Sequence, residues 1–108
     1  MARGALGEFE HQVLLAILRK GFESYSVEIV LELEERTGRE VATAAVYVAL
    51  LRLEKKGLLE SAVVQPGEDG GHARRYFRLT PEALRSLQGS RQALLSLWDG
   101  VESKLDKA

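Results

Sequence analysis

The change of pattern at Gly57 constrains the fold of this sequence more than any other feature. Before Gly57, apolar residues recur at helical spacing, and Val46, Leu50 and Leu53 are in line to face a core. Thr43 is placed to cap this helix and Gly57 to end it. After Gly57 the pattern becomes that of extended strands. The chain must therefore pass directly from a helix into a strand.

The segment after Gly57 predicts a hairpin with a flexible tip. Apolar residues from Leu58 to Val64 lead into the segment PGEDGGHA, which is rich in turn-forming residues. On the return strand, residues of one side alternate with residues of the other, namely Arg75, Phe77 and Leu79 against Arg74, Tyr76 and Arg78. The middle of the chain is thus a helix followed by a two-stranded ribbon with a basic return strand.

Two further helices are predicted before this unit. The first runs from about Gly7 to Lys20, and the second is capped by Ser24 or Ser26 and stops at Gly38. In the first, apolar residues recur at helical spacing at Phe9, Val13, Leu14, Ile17 and Leu18, and in the second Ile29, Val30 and Leu33 lie on one side.

The last helix, which Thr80 and Pro81 start, carries an unusual apolar stripe. Positions 84, 87, 91, 94, 98, 101 and 105 alternate by three and four residues, and six of the seven are Leu, Val or Trp. Arg91 is the exception, and Gly89 is placed to bend or break the helix. The stripe must be buried on its own domain or on a second copy of the chain. We expect a mainly α fold with a small β-hairpin in residues 1–80, followed by one long helix over residues 81–108.

Composition limits the classes of function. The formal net charge of −1 argues against a generally basic nucleic-acid binder, but the charge is uneven. Residues 41–80 carry six Lys or Arg against four Asp or Glu, whereas residues 1–40 carry five against eight. The positive block can neutralise phosphates locally. No apolar run approaches the length of a bilayer span and there are no cysteines, so we expect a cytoplasmic protein without membrane contact.

Four segments of the sequence resemble the PadR family of transcriptional regulators. They are Tyr25 to Ile29 in the second helix, Ala44 to Leu50 and Arg52 to Leu58 in the third, and Arg74 to Thr80 in the return strand. Ser26 and Val27 replace the usual glycine and aromatic residue, and Val48 stands where many members have proline. The resemblance implies a winged helix-turn-helix with a C-terminal dimerisation helix, as in the minimal subfamily. It also implies a homodimeric repressor that binds a palindromic operator in double-stranded DNA.

The candidate DNA-contacting residues lie on the third helix, at the start of the second helix and on the hairpin. Small side chains on the third helix permit close approach to thymine methyl groups, and arginines beside the hairpin tip suit phosphates. On the residue pattern alone, a partly apolar core helix explains the third helix as well as DNA contact does, and a solvated charge cluster explains the hairpin arginines better than DNA contact does. The resemblance to the PadR family favours DNA contact for both. The candidates are Tyr25, Ser26, Thr43, Ala44, Tyr47, Val48, Arg52, Lys55, His72, Arg74 and Arg75.

The resemblance further implies that the last helix packs against the first helix of a partner chain. The expected interface residues are Phe9, Val13, Ile17, Leu94, Leu95, Trp98, Val101 and Leu105. Trp98 is the candidate to line a site for a planar apolar effector, although packing in the interface is its plainer role.

We expect no enzymatic activity, no cofactor and no metal. His11 and His72 are far apart and neither has partners at a metal-ligand spacing. The glycines at 67, 70 and 71 belong to the hairpin tip rather than to a phosphate-binding loop. Two alternatives stay open: a winged-helix protein-interaction module, and a ligand sensor that does not bind DNA.

Overall fold

The computed structural model describes residues 6–68 and 70–107, and over these residues the chain is mainly helical with a small antiparallel sheet. Residues 1–5 of the predicted first domain, position 69 in the predicted hairpin tip and residue 108 lie outside the described part. The helices are α1 (Glu8–Arg19), α2 (Ser26–Thr37), α3 (Thr43–Lys55), α4 (Pro81–Trp98) and α5 (Glu102–Asp106). The strands are β1 (Glu23–Ser24), β2 (Leu59–Val64) and β3 (Arg74–Leu79). The predicted fold class is confirmed.

The sheet has the order β1-β3-β2, with both pairings antiparallel. The hairpin of β2 and β3 was predicted, whereas β1 was not. β1 is only two residues long, and its pairing of Ser24 with Phe77 anchors the turn after α1 against the base of the hairpin. The hairpin is therefore tied to both the first and the third helix, because Phe77 also packs edge-on against Tyr47 of α3.

The core lies where α1, α2 and α3 meet the base of the hairpin. Val46, Leu50 and Leu53 are fully buried, which confirms their predicted inward direction. Leu14 and Phe77 are also fully buried and complete the packing from α1 and β3. Each such side chain stabilises the fold by ~1.5–3 kcal/mol, so the position of α3 is strongly determined by its inner face.

Thr80 caps α4 as predicted. Its hydroxyl accepts a hydrogen bond from Ala83 N at 3.2 Å and donates one to the carbonyl of Gly57 at 2.9 Å. Pro81 occupies the first turn, where its missing N–H costs no hydrogen bond. Thr80 therefore joins the end of the α3 unit to the start of α4.

The other predicted N-terminal caps are wrong. Tyr25 occupies the cap position of α2, and Ser26 is already the first helical residue. Ser24 is buried, and its hydroxyl donates to Glu28 Oε1 at 2.7 Å instead of capping the helix. The cap position of α3 is Ala42, and no side chain closes it, so Thr43 is not the cap either.

The helix predicted over residues 81–108 is two helices. α4 continues through Gly89 without interruption and ends at Trp98. The break comes at Gly100, which has φ +82°, a left-handed conformation that glycine adopts at little cost. Five residues then form α5. The apolar stripe thus bends at residues 99–101 instead of following one straight axis.

Candidate nucleic-acid interface

The outer face of α3 is the first part of the candidate site. Ala44, Val48, Leu51 and Lys55 follow one another along this face and are all exposed. The exposed fraction is 53 % for Val48 and 43 % for Leu51, although the buried residues of the same helix are at 0–3 %. Thr43, Tyr47 and Arg52, predicted at the margins, are exposed as well. The α3 candidates therefore share one accessible surface.

Arg74 is held by two tyrosines. Its guanidinium carbon lies 4.5 Å from the centre of the Tyr25 ring, and that ring meets Tyr76 edge-on at 5.3 Å. A hydrogen bond to Tyr76, together with the nearby Tyr25, raises the pKa of Arg74 above its ordinary value. Stacking over an aromatic face also restricts a long side chain. Arg74 therefore presents a fixed positive charge beside the start of α2.

Arg75 points to the other side of the hairpin. Its Nη1 donates to Ser61 Oγ at 2.9 Å, and Ser61 in turn donates to Glu54 Oε2 at 2.7 Å. This chain connects β3 to β2 and to α3. Both arginines are expected to contact DNA, but strand alternation places them on opposite sides of the hairpin. Arg75 is linked through Ser61 to Glu54, whereas Arg74 lies between Tyr25 and Tyr76, with Glu28 near enough to help raise its pKa.

The remaining DNA candidates fall at the edges of this surface. Ser26 is half-buried in the first turn of α2, next to Tyr25. His72 is exposed where the chain leaves the hairpin tip, and it shares a shallow cavity with Arg74 and Tyr76. The fold thus brings Tyr25, Ser26 and Arg74 together at one place and the α3 residues together at another.

A tie between α1 and the end of α3 was not anticipated from the sequence. Lys56 Nζ donates to both carboxylate oxygens of Glu10, at 2.9 and 3.0 Å, and Glu10 also accepts from Gly7 N at 3.1 Å. Burial raises the pKa of Glu10, but the bonds from Lys56 and Gly7 outweigh it and hold the pKa below its usual value. Because 46 residues separate the partners, no local pattern could have revealed this contact.

The C-terminal arm, here defined as residues 91–107, leaves its apolar side chains in the open. The described residues of this arm are all exposed. Trp98 is 42 % exposed and Leu97 is 74 % exposed. The other exposed apolar residues of the arm are Leu94, Leu95, Val101 and Leu105. Contiguous apolar surface of this kind is typical of an interface rather than of a solvated helix.

A groove of about 600 Å³ lies between α1 and α4, at the base of the arm. It is lined mainly by apolar side chains, namely those of Leu15, Leu18, Leu84, Leu87, Leu94 and Leu95, with His11, Gln88 and Arg91. The predicted interface residues on α1 need a correction. Val13 and Ile17 are fully buried in the core of their own chain, so their side chains face no partner. Phe9 is half-buried against the core, and Leu15, 41 % exposed, is the accessible leucine of α1.

In residues 6–68 and 70–107 no group of three or more His, Cys, Asp or Glu side chains is arranged to hold a metal ion. Within the same residues, no helix combines the length and the apolar character needed to cross a membrane.

Comparison with known proteins identifies the family. The model of the transcriptional regulator PadR-like family matches residues 14–88, which is more than half of the chain. No curated protein matches the sequence.

Solved structures agree in fold. A PadR family transcription regulator from Clostridium difficile R20291 is 26 % identical, with a TM-score of 0.74 and coverage of 90 % of this chain and 98 % of that one. A PadR family transcriptional regulator from Eggerthella lenta DSM 2243 is 27 % identical, with a TM-score of 0.67 and coverage of 94 % and 88 %. F93 from STIV, a winged-helix DNA-binding protein, has a TM-score of 0.70 at 11 % identity and coverage of 90 % and 98 %, which shows the fold alone. The chain belongs to the PadR-like family and is a winged-helix, DNA-binding transcriptional regulator.

Proposed function

We propose that this regulator is a homodimeric repressor that binds a palindromic operator, with one α3 helix in the major groove of each half-site. The observation that carries the proposal is the combination of an exposed α3 face with an exposed apolar arm on the same chain. The first suits a DNA groove, since a major groove admits an α-helix, and the second suits a partner chain. A dimer seated on an operator that overlaps a promoter excludes polymerase, and repression follows.

The proposed dimer pairs the arm of one chain with the groove of the other. Both surfaces are apolar and both belong to every chain, so a two-fold axis can satisfy them together. Leu94 and Leu95 line the groove and also begin the arm, which makes the two surfaces continuous. Residues 81–107 would thus act as a dimerisation segment appended to the winged-helix part.

On DNA, the two clusters of candidate residues would contact different parts of the duplex. The α3 face would contact bases, with Arg52 and Lys55 adding positive charge at its C-terminal end. Arg74, fixed by Tyr25 and Tyr76, would meet the phosphate backbone beside α2. Thr43, Ala44, Tyr47, Val48, Ser26, His72 and Arg75 complete the proposed contact surface. Their roles are proposals that rest on position and exposure.

Trp98 is proposed to serve an effector as well as the dimer. It is the single tryptophan of the chain and lies on the arm, partly exposed. A planar apolar molecule bound near it at the dimer axis would change the separation of the two DNA-reading heads and release the operator. Titration with a panel of planar apolar compounds tests this idea. Tryptophan fluorescence and operator affinity that both stay constant across the panel would refute it.

The dimer is tested with two variants of the arm. Leu95→Asp should raise the dimer dissociation constant by at least about tenfold, because burying a leucine is worth ~1.5–3 kcal/mol and a symmetric interface loses two. Ser96→Asp is the matched control, since Ser96 does not line the groove and lies on the side of the helix opposite Leu94 and Trp98. Light scattering over a dilution series measures the masses.

DNA binding is tested by selecting duplexes from a random-sequence pool and measuring the affinity of the recovered duplex by gel shift. We expect a recovered consensus with two-fold symmetry and a steep dependence on salt. No binding at low salt, or a monomeric wild type that is unaffected by Leu95→Asp, would refute the proposal. A winged-helix protein-interaction module would then be the better interpretation of this fold.

A further inference from the structure

The outward face of α3 is apolar over most of its length. Ala44, Val48 and Leu51 are spaced by four and three residues, which places them in a single row, and Lys55 continues the row four residues later. We refer to Ala44, Val48 and Leu51 as the apolar row. Nothing in the inner packing needs these side chains, because the buried face of α3 is made by other residues.

The charges around the apolar row are positive. Arg52 and Lys55 are exposed at its C-terminal end, and the first turn of α3 contains no acidic residue. The acidic residue of the last turn, Glu54, accepts a hydrogen bond from Ser61, which offsets part of its charge. An apolar strip bordered by cations fits a polyanion that displays apolar groups better than it fits an ordinary apolar protein surface.

The major groove of DNA displays one kind of apolar group. Base edges there present hydrogen-bond donors and acceptors, and the only apolar feature is the C5-methyl of thymine. Between Ala44 and Leu51, only Tyr47 carries a polar group, and its ring is packed on Phe77. The bidentate pairing of Arg, Asn or Gln with a base is therefore unavailable to this part of α3.

We propose that the apolar row reads thymine C5-methyl groups in each half-site, and that Val48 at its centre is a specificity-determining residue. This inference rests on the proposed function, since it requires α3 to lie in the major groove. It adds a readout that depends on methyl contact rather than on hydrogen bonding. It also predicts that the selected consensus contains thymines at the positions that face the row.

Uracil substitution tests the readout directly, because uracil keeps the base pairing of thymine and lacks only the methyl group. The probe is the duplex recovered by selection, with thymines replaced by uracil one position at a time. Replacing a contacted thymine by uracil should lower the affinity for the duplex about fourfold, which corresponds to the loss of one buried methyl group. Thymines outside the contact should cost nothing.

Val48→Ala identifies the contacting residue. Val48 is 53 % exposed, so the change leaves the core of the domain untouched, and thermal unfolding of the free protein checks this. The variant should bind the thymine duplex more weakly and show a reduced loss on uracil substitution, the coupling expected of two groups in contact. Leu31→Ala is the matched control: Leu31 is 60 % exposed, lies on α2, and should keep the full thymine preference.

Two results would overturn the inference and leave the proposed function intact. One is an operator affinity that is unchanged by uracil at every position. The other is a Val48→Ala variant that loses affinity equally on the thymine and uracil duplexes. A protein that binds no selected duplex at low salt would instead overturn the proposed function itself.

Discussion

Replacing Lys56 by methionine should destabilise the protein through the buried carboxylate of Glu10. Glu10 is only 6 % exposed, and Lys56 supplies two of its three hydrogen bonds. Methionine keeps much of the apolar stem of the lysine but removes the ammonium group. A hydrogen bond to a charged group contributes ~1.5–3 kcal/mol, and an unpartnered buried charge costs more. Because Lys56 itself is about one-third exposed, water can replace part of the interaction, and we expect a loss of ~2 kcal/mol.

Arg78→Met provides the comparison. Arg78 pairs with Glu23 at 3.5 Å, and both side chains are largely exposed. An exposed pair of this kind contributes at most ~1 kcal/mol. Thermal unfolding at a fixed protein concentration, which keeps any association constant, measures both variants. For a chain of this size ~2 kcal/mol corresponds to a fall in Tm of ~8–16 °C.

The pH dependence gives a second readout of the same contact. The pKa of Glu10 is lowered in the folded state, so its contribution to stability is present above the ordinary value of 4.5 and is lost as pH falls through the lowered pKa. The difference between wild type and Lys56→Met should therefore be full at neutral pH and shrink in acid. A Lys56→Met variant that loses no more stability than Arg78→Met, or a difference that grows as pH falls, would refute the reasoning.

Two further predictions concern the hairpin and the cap of α4. Arg74→Ala should weaken specific and nonspecific DNA binding about equally and flatten the slope of log affinity against log salt by about one, whereas Arg75→Ala should flatten it less, because Arg75 is engaged by Ser61. Equal slopes for the two variants would contradict this division. Thr80→Ala should cost ~1–2 kcal/mol in chemical denaturation, since it removes both a helix cap and a bond to Gly57, and Thr80→Ser should retain most of the stability.

The hydrophobic periodicity was enough to predict the three helices, the hairpin and the inward residues of α2 and α3. Ile29, Leu33 and Val46 are buried as expected. Periodicity identifies an apolar face, but it does not say which surface covers that face. The family resemblance implies a partner contact for Val13 and Ile17, whereas the chain's own core covers them completely. Leu15, outside the helical row that suggested an interface, is the accessible residue instead.

The remaining differences depend on contacts that are distant in sequence or on backbone conformation. Strand β1 is too short to show a pattern and exists because it pairs with β3. Gly89 is a residue type that can break a helix, but a glycine in the interior of a helix costs only ~1 kcal/mol, and α4 continues through it. Gly100 ends α4 because its left-handed conformation does not continue a helix.

Arg74 and Arg75 differ in the side of β3 from which each projects and in the contacts on that side. The first difference follows from the strand alternation that the sequence shows. Adjacent residues on a strand point to opposite sides. The sequence showed the alternation but not that Tyr25 lies beside one face and Glu54 near the other. The candidate residues could thus be named from the sequence, but the contacts that each of them makes could not.

In the proposed complex, two copies of α3 read two half-sites at a fixed spacing, and a change in that spacing tests this arrangement. The measurement compares the affinity of the selected duplex with that of the same duplex carrying five additional base pairs at its centre, which rotate one half-site by about half a helical turn. We predict a complex of two chains per duplex whose affinity falls to the nonspecific level on insertion. An affinity that the insertion leaves unchanged, or a complex with one chain per duplex, would contradict the account.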